Sequence, residues 1–157
     1  MSERRVRVPK EKESIIRKLT GEDGTSPGGI FETRAHLLTF AAVYGFSKGP
    51  RQPFSESLEP IRQEVFTRNG FDTVINLIAL ADTGDPRCLA LNDEADSQRV
   101  TIFEEYANAG LGCLISELQG ISDPLEHFPL MLKVQDSRRK DSDVLDVGTI
   151  LMESVTK

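Results

Sequence analysis

The residues of this chain that could do chemistry are few and scattered. Asp93-Glu94-Ala95-Asp96 spells the acidic tetrapeptide of a DEAD-box helicase, with Leu89-Ala90-Leu91 just ahead of it. In such an enzyme the first Asp holds a magnesium ion opposite a phosphate-cradling G-x-x-x-x-G-K-[ST] loop. The chain contains no such loop and is shorter than one helicase domain. Acids at the start of a long helix are favoured by its dipole alone, so the tetrapeptide reads as a helix start. His36 and His127 are the only histidines, and neither stands beside a Cys or carboxylate at metal-ligand spacing. Cys88 and Cys113 each stand alone, and Cys113, one position from an apolar stripe, reads as a small core hydrophobe. Glu104 and Glu105 are neighbours on a helix and point about 100° apart, which is poor geometry for a carboxylate pair. The residues therefore predict no catalytic site, no metal and no cofactor. An acid/base site assembled from distant residues is the alternative left open.

Charge is more informative. Residues 1–18 hold Arg4, Arg5, Arg7, Lys10, Lys12, Arg17 and Lys18 against Glu3, Glu11 and Glu13, a local net charge of +4. The whole chain of 157 residues carries −6, so everything after residue 18 carries −10. Between Asp72 and Glu126 there are eleven acids and two bases, Arg87 and Arg99. A basic arm on an acidic body suits an anion such as duplex phosphate at one end and a basic partner at the other. The ordinary alternative is solvated surface charge. A net acidic balance argues against a wholly basic nucleic-acid coat or a polybasic membrane binder.

Those charges need elements to position them. Arg5-Val6-Arg7-Val8 alternates with period two and predicts a short strand, the valines inward and the arginines outward. Pro9 suits a helix start, and Ile15, Ile16 and Leu19 give the following helix its apolar stripe, closed by Thr20-Gly21. A second helix is predicted from about Glu32 to Tyr44, with Leu37, Leu38, Ala41 and Ala42 inward and Gly45 ending it. Residues 46–60 read as a loop, and Ile61 to Phe66 as a strand or a single helical turn, with strand preferred. Phe71, Val74, Ile75, Ile78 and Ala81 mark a third helix, ended by Asp82-Thr83-Gly84-Asp85-Pro86.

The longest predicted helix runs from about Asp93 to Leu118. Phe103, Ala107, Leu111, Leu114 and Leu118 form its buried stripe. Gly110 and Gly112 are out of place there, since each costs about 1 kcal/mol against Ala in a helix interior. Either a neighbouring backbone approaches closely, or the helix bends. Ser122-Asp123-Pro124 begins another helix, which Pro129 should break or kink. Residues 136–143 read as a polar linker. The expectation is one mostly helical domain over 1–136 and a tail over 137–157, with no membrane span. Met1-Ser2-Glu3-Arg4-Arg5 leads into no apolar run, so a cytoplasmic chain without a signal peptide is expected.

A strand followed by two helices is the opening of a ribbon-helix-helix protein, in which strands of two chains pair and enter the major groove. Outward Arg5 and Arg7 suit that task; an edge strand with water-facing arginines is the structural alternative. Four stretches carry a wider resemblance. Arg4-Arg5-Val6-Arg7-Val8-Pro9-Lys10-Glu11, Phe40-Ala41-Ala42-Val43-Tyr44-Gly45-Phe46, Ile75-Asn76-Leu77-Ile78-Ala79-Leu80-Ala81 and Ile102-Phe103-Glu104-Glu105-Tyr106-Ala107-Asn108-Ala109-Gly110-Leu111 resemble small proteins associated with Dnd DNA-phosphorothioation systems. The resemblance covers about residues 4–120, and the strand-helix start is distantly similar to DndE. It implies a mainly α-helical, oligomeric, non-catalytic accessory subunit of a DNA-modification, restriction or antiviral defence system. Carried over by position, the DNA-facing role falls on Arg4, Arg5, Arg7, Lys10 and Lys12, and charge adds Arg17 and Lys18.

The partners implied are other proteins of that system, duplex or nicked DNA, and further copies of the chain. Val147, Ile150, Leu151 and Val155 fall at i, i+3, i+4 and i+8, a stripe that fits a partner's groove or folds back on its own domain. The two further readings are a ribbon-helix-helix-type transcriptional regulator and a protein–protein adaptor without DNA contact.

Overall fold

The computed structural model describes residues 3–22, 24, 29–121, 126–131 and 133. The order of elements is β1 (Arg5–Pro9), a 3-10 turn (Lys10–Lys12), α1 (Glu13–Thr20), α2 (Arg34–Lys48), β2 (Ser57–Arg62), α3 (Gln63–Arg68), α4 (Asp72–Thr83), a second 3-10 turn (Pro86–Leu89) and α5 (Asp93–Leu118). The architecture is mainly helical with a strand at its N-terminus, as the sequence predicts, and that strand belongs to a short antiparallel two-stranded sheet. The chain divides into two compact units, Met1–Gln119 and Gly120–Lys157. In the second unit residues 126–131 and 133 are helical, so of the break or kink expected at Pro129 the break does not occur. The expected linker and tail, with Val147, Ile150, Leu151 and Val155, lie outside the described residues.

α5 is the centre of the first unit. Its predicted stripe, Phe103, Ala107, Leu111, Leu114 and Leu118, is at most 5% exposed throughout. Burial extends well beyond that stripe, to Val100, Ile102, Tyr106, Asn108 and Gly110. The sequence carries a sign of this, because residues 106–116 contain no charged side chain. α2 is the main partner of α5, and α4 packs beside it. Phe66 of α3 meets Phe103 edge-on at 5.5 Å.

Gly45 was expected to end the second helix. It lies inside α2, which continues to Lys48. The cause is the contact with α5: a Cβ on Gly45 would strike the Tyr106 carbonyl oxygen and stand 2.6 Å from the Gly110 nitrogen. A Cβ on Gly110 would collide in turn with the Ala41 carbonyl oxygen. The two helices cross backbone against backbone, which only glycine permits. Of the two explanations for Gly110, close approach is therefore the right one. Gly112 takes no part, since the nearest atom to a Cβ there is Lys12 Cε at 3.7 Å.

The sheet also differs in detail from expectation. β2 begins at Ser57, inside the predicted loop, and residues 61–66 divide between the end of β2 and the start of α3. Val6 and Val8 are fully buried, as the period-two pattern requires. β1 pairs antiparallel with β2 of the same chain, with Arg5 opposite Arg62 and Val8 opposite Leu58. The register shifts between Val6 and Val8, where β2 holds an extra residue beside Pro60. A bulge accommodates a proline that has no N–H to give the ladder.

Candidate functional site

The amides of β1 alternate in direction. Val8 donates to Ser57 Oγ at 2.9 Å and Lys10 to the Glu56 carbonyl at 3.1 Å, both on the β2 side. The Arg7 amide points the other way, and donates to Glu104 Oε2 on α5 at 2.5 Å. One edge of β1 is thus paired with β2, and on the other the Arg7 amide is taken by a carboxylate. The strand-helix-helix order of a ribbon protein is present, while the strand's partner is supplied within the chain.

The predicted cationic arm divides in two. Arg4 donates through Nε to Asp96 Oδ2 at 2.7 Å and through a terminal nitrogen to the Asp93 carbonyl at 3.1 Å. Arg7 pairs with Glu104 at 3.4 Å, and its guanidinium carbon lies 4.6 Å from the centroid of the Phe54 ring. Lys10 pairs with Glu56 at 3.7 Å on the surface. Arg5, Lys12, Arg17 and Lys18 have no ion pair among the described residues. Arg5 and Arg17 are exposed, while Lys12 and Lys18 are half-buried. Arg17 and Lys18 flank Ser14 on the face of α1 opposite Ile15, Ile16 and Leu19.

Two of the arm's seven cations, Arg4 and Arg7, are taken up by α5, and sequence reading did not anticipate it. Asp96 accepts from Arg4, from Gln63 Nε2 at 3.0 Å and from Arg99 at 3.2 Å. Glu105 and Asp82 share Arg51, at 3.6 and 3.7 Å. Glu117 holds Lys48 at 3.7 Å and accepts from the Tyr44 hydroxyl. Among the described residues, four of the six carboxylates on α5 thus have a cation from elsewhere on the helix or the chain. The two without one are Asp93 and Glu94. The acidic body is in large part the counter-charge of the chain's own bases.

Burial gives these groups distinct acidities. Glu104 is 3% exposed, and desolvation pushes its carboxyl above the ordinary range against the pull of Arg7. Burial, with the Asp82 carboxylate accepting from the hydroxyl at 2.6 Å, pushes the Tyr106 phenol up to about 12. At the surface, the hydrogen bond from Arg34 and then that from Thr20 hold Glu22 below its usual range. Asn108 is buried and donates to the Gln52 carbonyl at 3.0 Å, while its Oδ1 has no partner among the described residues.

The helicase-like tetrapeptide has a structural role. Asn92 caps α5, its Oδ1 accepting from the Ala95 amide at 2.8 Å, and Asp96 is the hub just described. Arg99, 8% exposed, donates to the carbonyls of Cys88 at 2.7 Å and Ala90 at 3.0 Å. It fixes the backbone ahead of the helix from below. A shallow polar cleft of about 220 Å³ lies alongside, lined by Asp85, Arg87, Cys88 and Glu94 among others. Cys88 is buried and Cys113 half-buried, so Cys88 is the better example of a small core hydrophobe. Among the described residues no His, Cys, Asp and Glu group is arranged to hold a metal ion. No helix among them is long and apolar enough to cross a membrane.

A family model described as DNA sulphur modification system-associated protein 4 matches residues 5–149. No curated protein and no solved structure matches the chain. The match runs past the 4–120 span of the resemblance and takes in Val147. A match over nearly the whole length settles the family: the chain belongs to the DNA sulphur modification system-associated protein 4 family.

Proposed function

We propose that the protein is a non-catalytic accessory component of a DNA sulphur modification system, acting in phage defence by binding and not by turnover. The observation that carries this reading is the disposition of the titratable groups. Asp96, Glu104, Glu105, Asp82 and Glu117 are each engaged by a cation or hydroxyl that fixes one element to another. Groups used in this way serve the fold, and of the groups that line the polar cleft Asp85 and Arg87 are already bound to each other.

The proposed DNA contact is narrower than the seven cations of the arm suggest. Arg4, Arg7 and Lys10 are occupied, which leaves Arg5, Lys12, Arg17 and Lys18 for phosphate. Four neutralised phosphates give a slope of log K against log[salt] of about −4 at most. Fluorescence anisotropy with a nicked duplex at two salt concentrations measures it. An Arg5→Ala/Arg17→Ala/Lys18→Ala variant should lose most of both affinity and slope, and unchanged binding would remove the arm from the mechanism. A regulator of the ribbon-helix-helix type draws less support, since a second chain's strand would have to displace β2 or the Glu104 carboxylate. Adaptor function without DNA is the second reading, favoured by the surface considered next.

A further inference from the structure

The Leu89-Ala90-Leu91 segment sits on the surface in an unusual way. Leu91 is 100% exposed and Leu89 38% exposed, although the backbone on both sides of them is held. Asp85 caps the 3-10 turn, accepting from the Arg87 amide at 2.9 Å, and Ala90 donates to the Arg87 carbonyl at 3.1 Å. Arg99 grips the Cys88 and Ala90 carbonyls from inside, and Asn92 closes the segment as the cap of α5. A buried guanidinium is costly to desolvate, and here it holds a loop whose two leucines face outward. An apolar side chain on a rigid backbone loses little entropy on binding.

Charge narrows the partner. Asp93 and Glu94 are exposed directly after the leucines, and they are the two α5 carboxylates without a cation among the described residues. Arg87 does not offset them, because Asp85 binds it at 2.8 Å. An apolar projection with an acidic rim repels phosphate and suits an apolar socket edged with lysine or arginine. We propose that this loop is a preformed docking peg for another protein of the sulphur modification system, with Leu91 as its anchor and Asp93 and Glu94 as its electrostatic rim. The proposal rests on the accessory reading and gives it a surface.

The test is biolayer interferometry of the full chain against each purified protein encoded with it in the modification system. The variants are Leu91→Asp, Asp93→Lys/Glu94→Lys and, as control, Leu77→Asp, whose leucine is 59% exposed on α4. For one of those proteins, Leu91→Asp should weaken binding at least tenfold and the charge reversal several-fold, more so at low salt. Leu77→Asp should bind as the wild type does, and the melting temperature of Leu91→Asp should not change. If no system protein binds the wild type, the accessory reading fails together with the peg. If one binds but is indifferent to Leu91→Asp, or equally sensitive to Leu77→Asp, the peg alone is overturned. It is also overturned if Leu91→Asp lowers the melting temperature, which would mean the chain covers its own leucines. Light scattering that shows a wild-type dimer dissociated by Leu91→Asp would assign the loop to a second copy instead.

Discussion

From Asp93 to Glu104, α5 carries charge in buried or half-buried positions: Asp96, Arg99 and Glu104. From Ala107 to Leu118 its buried groups are apolar side chains, Asn108 and the bare backbone of Gly110, and Glu117 near the end is the one half-buried charge. The first half must hold pieces with little apolar surface of their own, namely a five-residue strand and the 85–92 loop. Directed hydrogen bonds to carbonyls and amides can fix such pieces in register, whereas dispersion alone would let them slide. The second half meets another long helix, and there the gain comes from bringing two backbones together. One helix thus fixes neighbours by polar geometry at one end and by the omission of side chains at the other.

The largest effect expected from disturbing this contrast is at Gly110. Gly110→Ala places a methyl against the Ala41 carbonyl of a packed helix, and should destabilise by about 3 kcal/mol or more despite better helix propensity. Chemical denaturation measures it, and a loss below about 1 kcal/mol would mean that the helices separate easily. Next is Arg99→Met, which leaves the Cys88 and Ala90 carbonyls without their donor and Asp96 with one cation fewer. A loss of about 2–3 kcal/mol is expected, with faster amide exchange over residues 88–91. Protection unchanged there would show that the loop holds itself.

Gly112→Ala should have the opposite sign to Gly110→Ala. Its methyl meets only the far end of the Lys12 side chain, so a gain of about 1 kcal/mol is expected in the same assay. Two glycines one residue apart from being neighbours would then differ only because one faces a backbone.

The smallest effect is a slope against pH. The Glu104 carboxyl is raised in the folded state, so folding favours its protonated form. Its contribution to stability is greatest at low pH and is lost as pH rises from the ordinary value of 4.5 through the folded one. Glu22, whose carboxyl is lowered, contributes in the opposite sense, with stability present above 4.5 and lost as pH falls. Melting temperatures of wild type, Glu104→Gln and Glu22→Gln between about pH 4 and pH 8 should separate the two. The Glu104→Gln variant should gain on the wild type as pH rises, and parallel curves would show that Arg7 compensates Glu104 fully.

Local pattern was sufficient for much of this protein. The valine alternation places β1, the stripe from Phe103 to Leu118 places α5, and the two glycines in its interior announce that something approaches closely. The four separated stretches also pointed to the family. These features depend on residues near one another in the chain, whose periodicity is set by the geometry of a strand or a helix. Tertiary structure alone decided which backbone Gly110 meets, that Gly45 continues a helix, and that Arg4 and Arg7 face Asp96 and Glu104, some ninety residues on. A count of charge records how many bases an arm holds but not how many are already compensated, because ion pairing depends on distance through space and on the water excluded when helices pack.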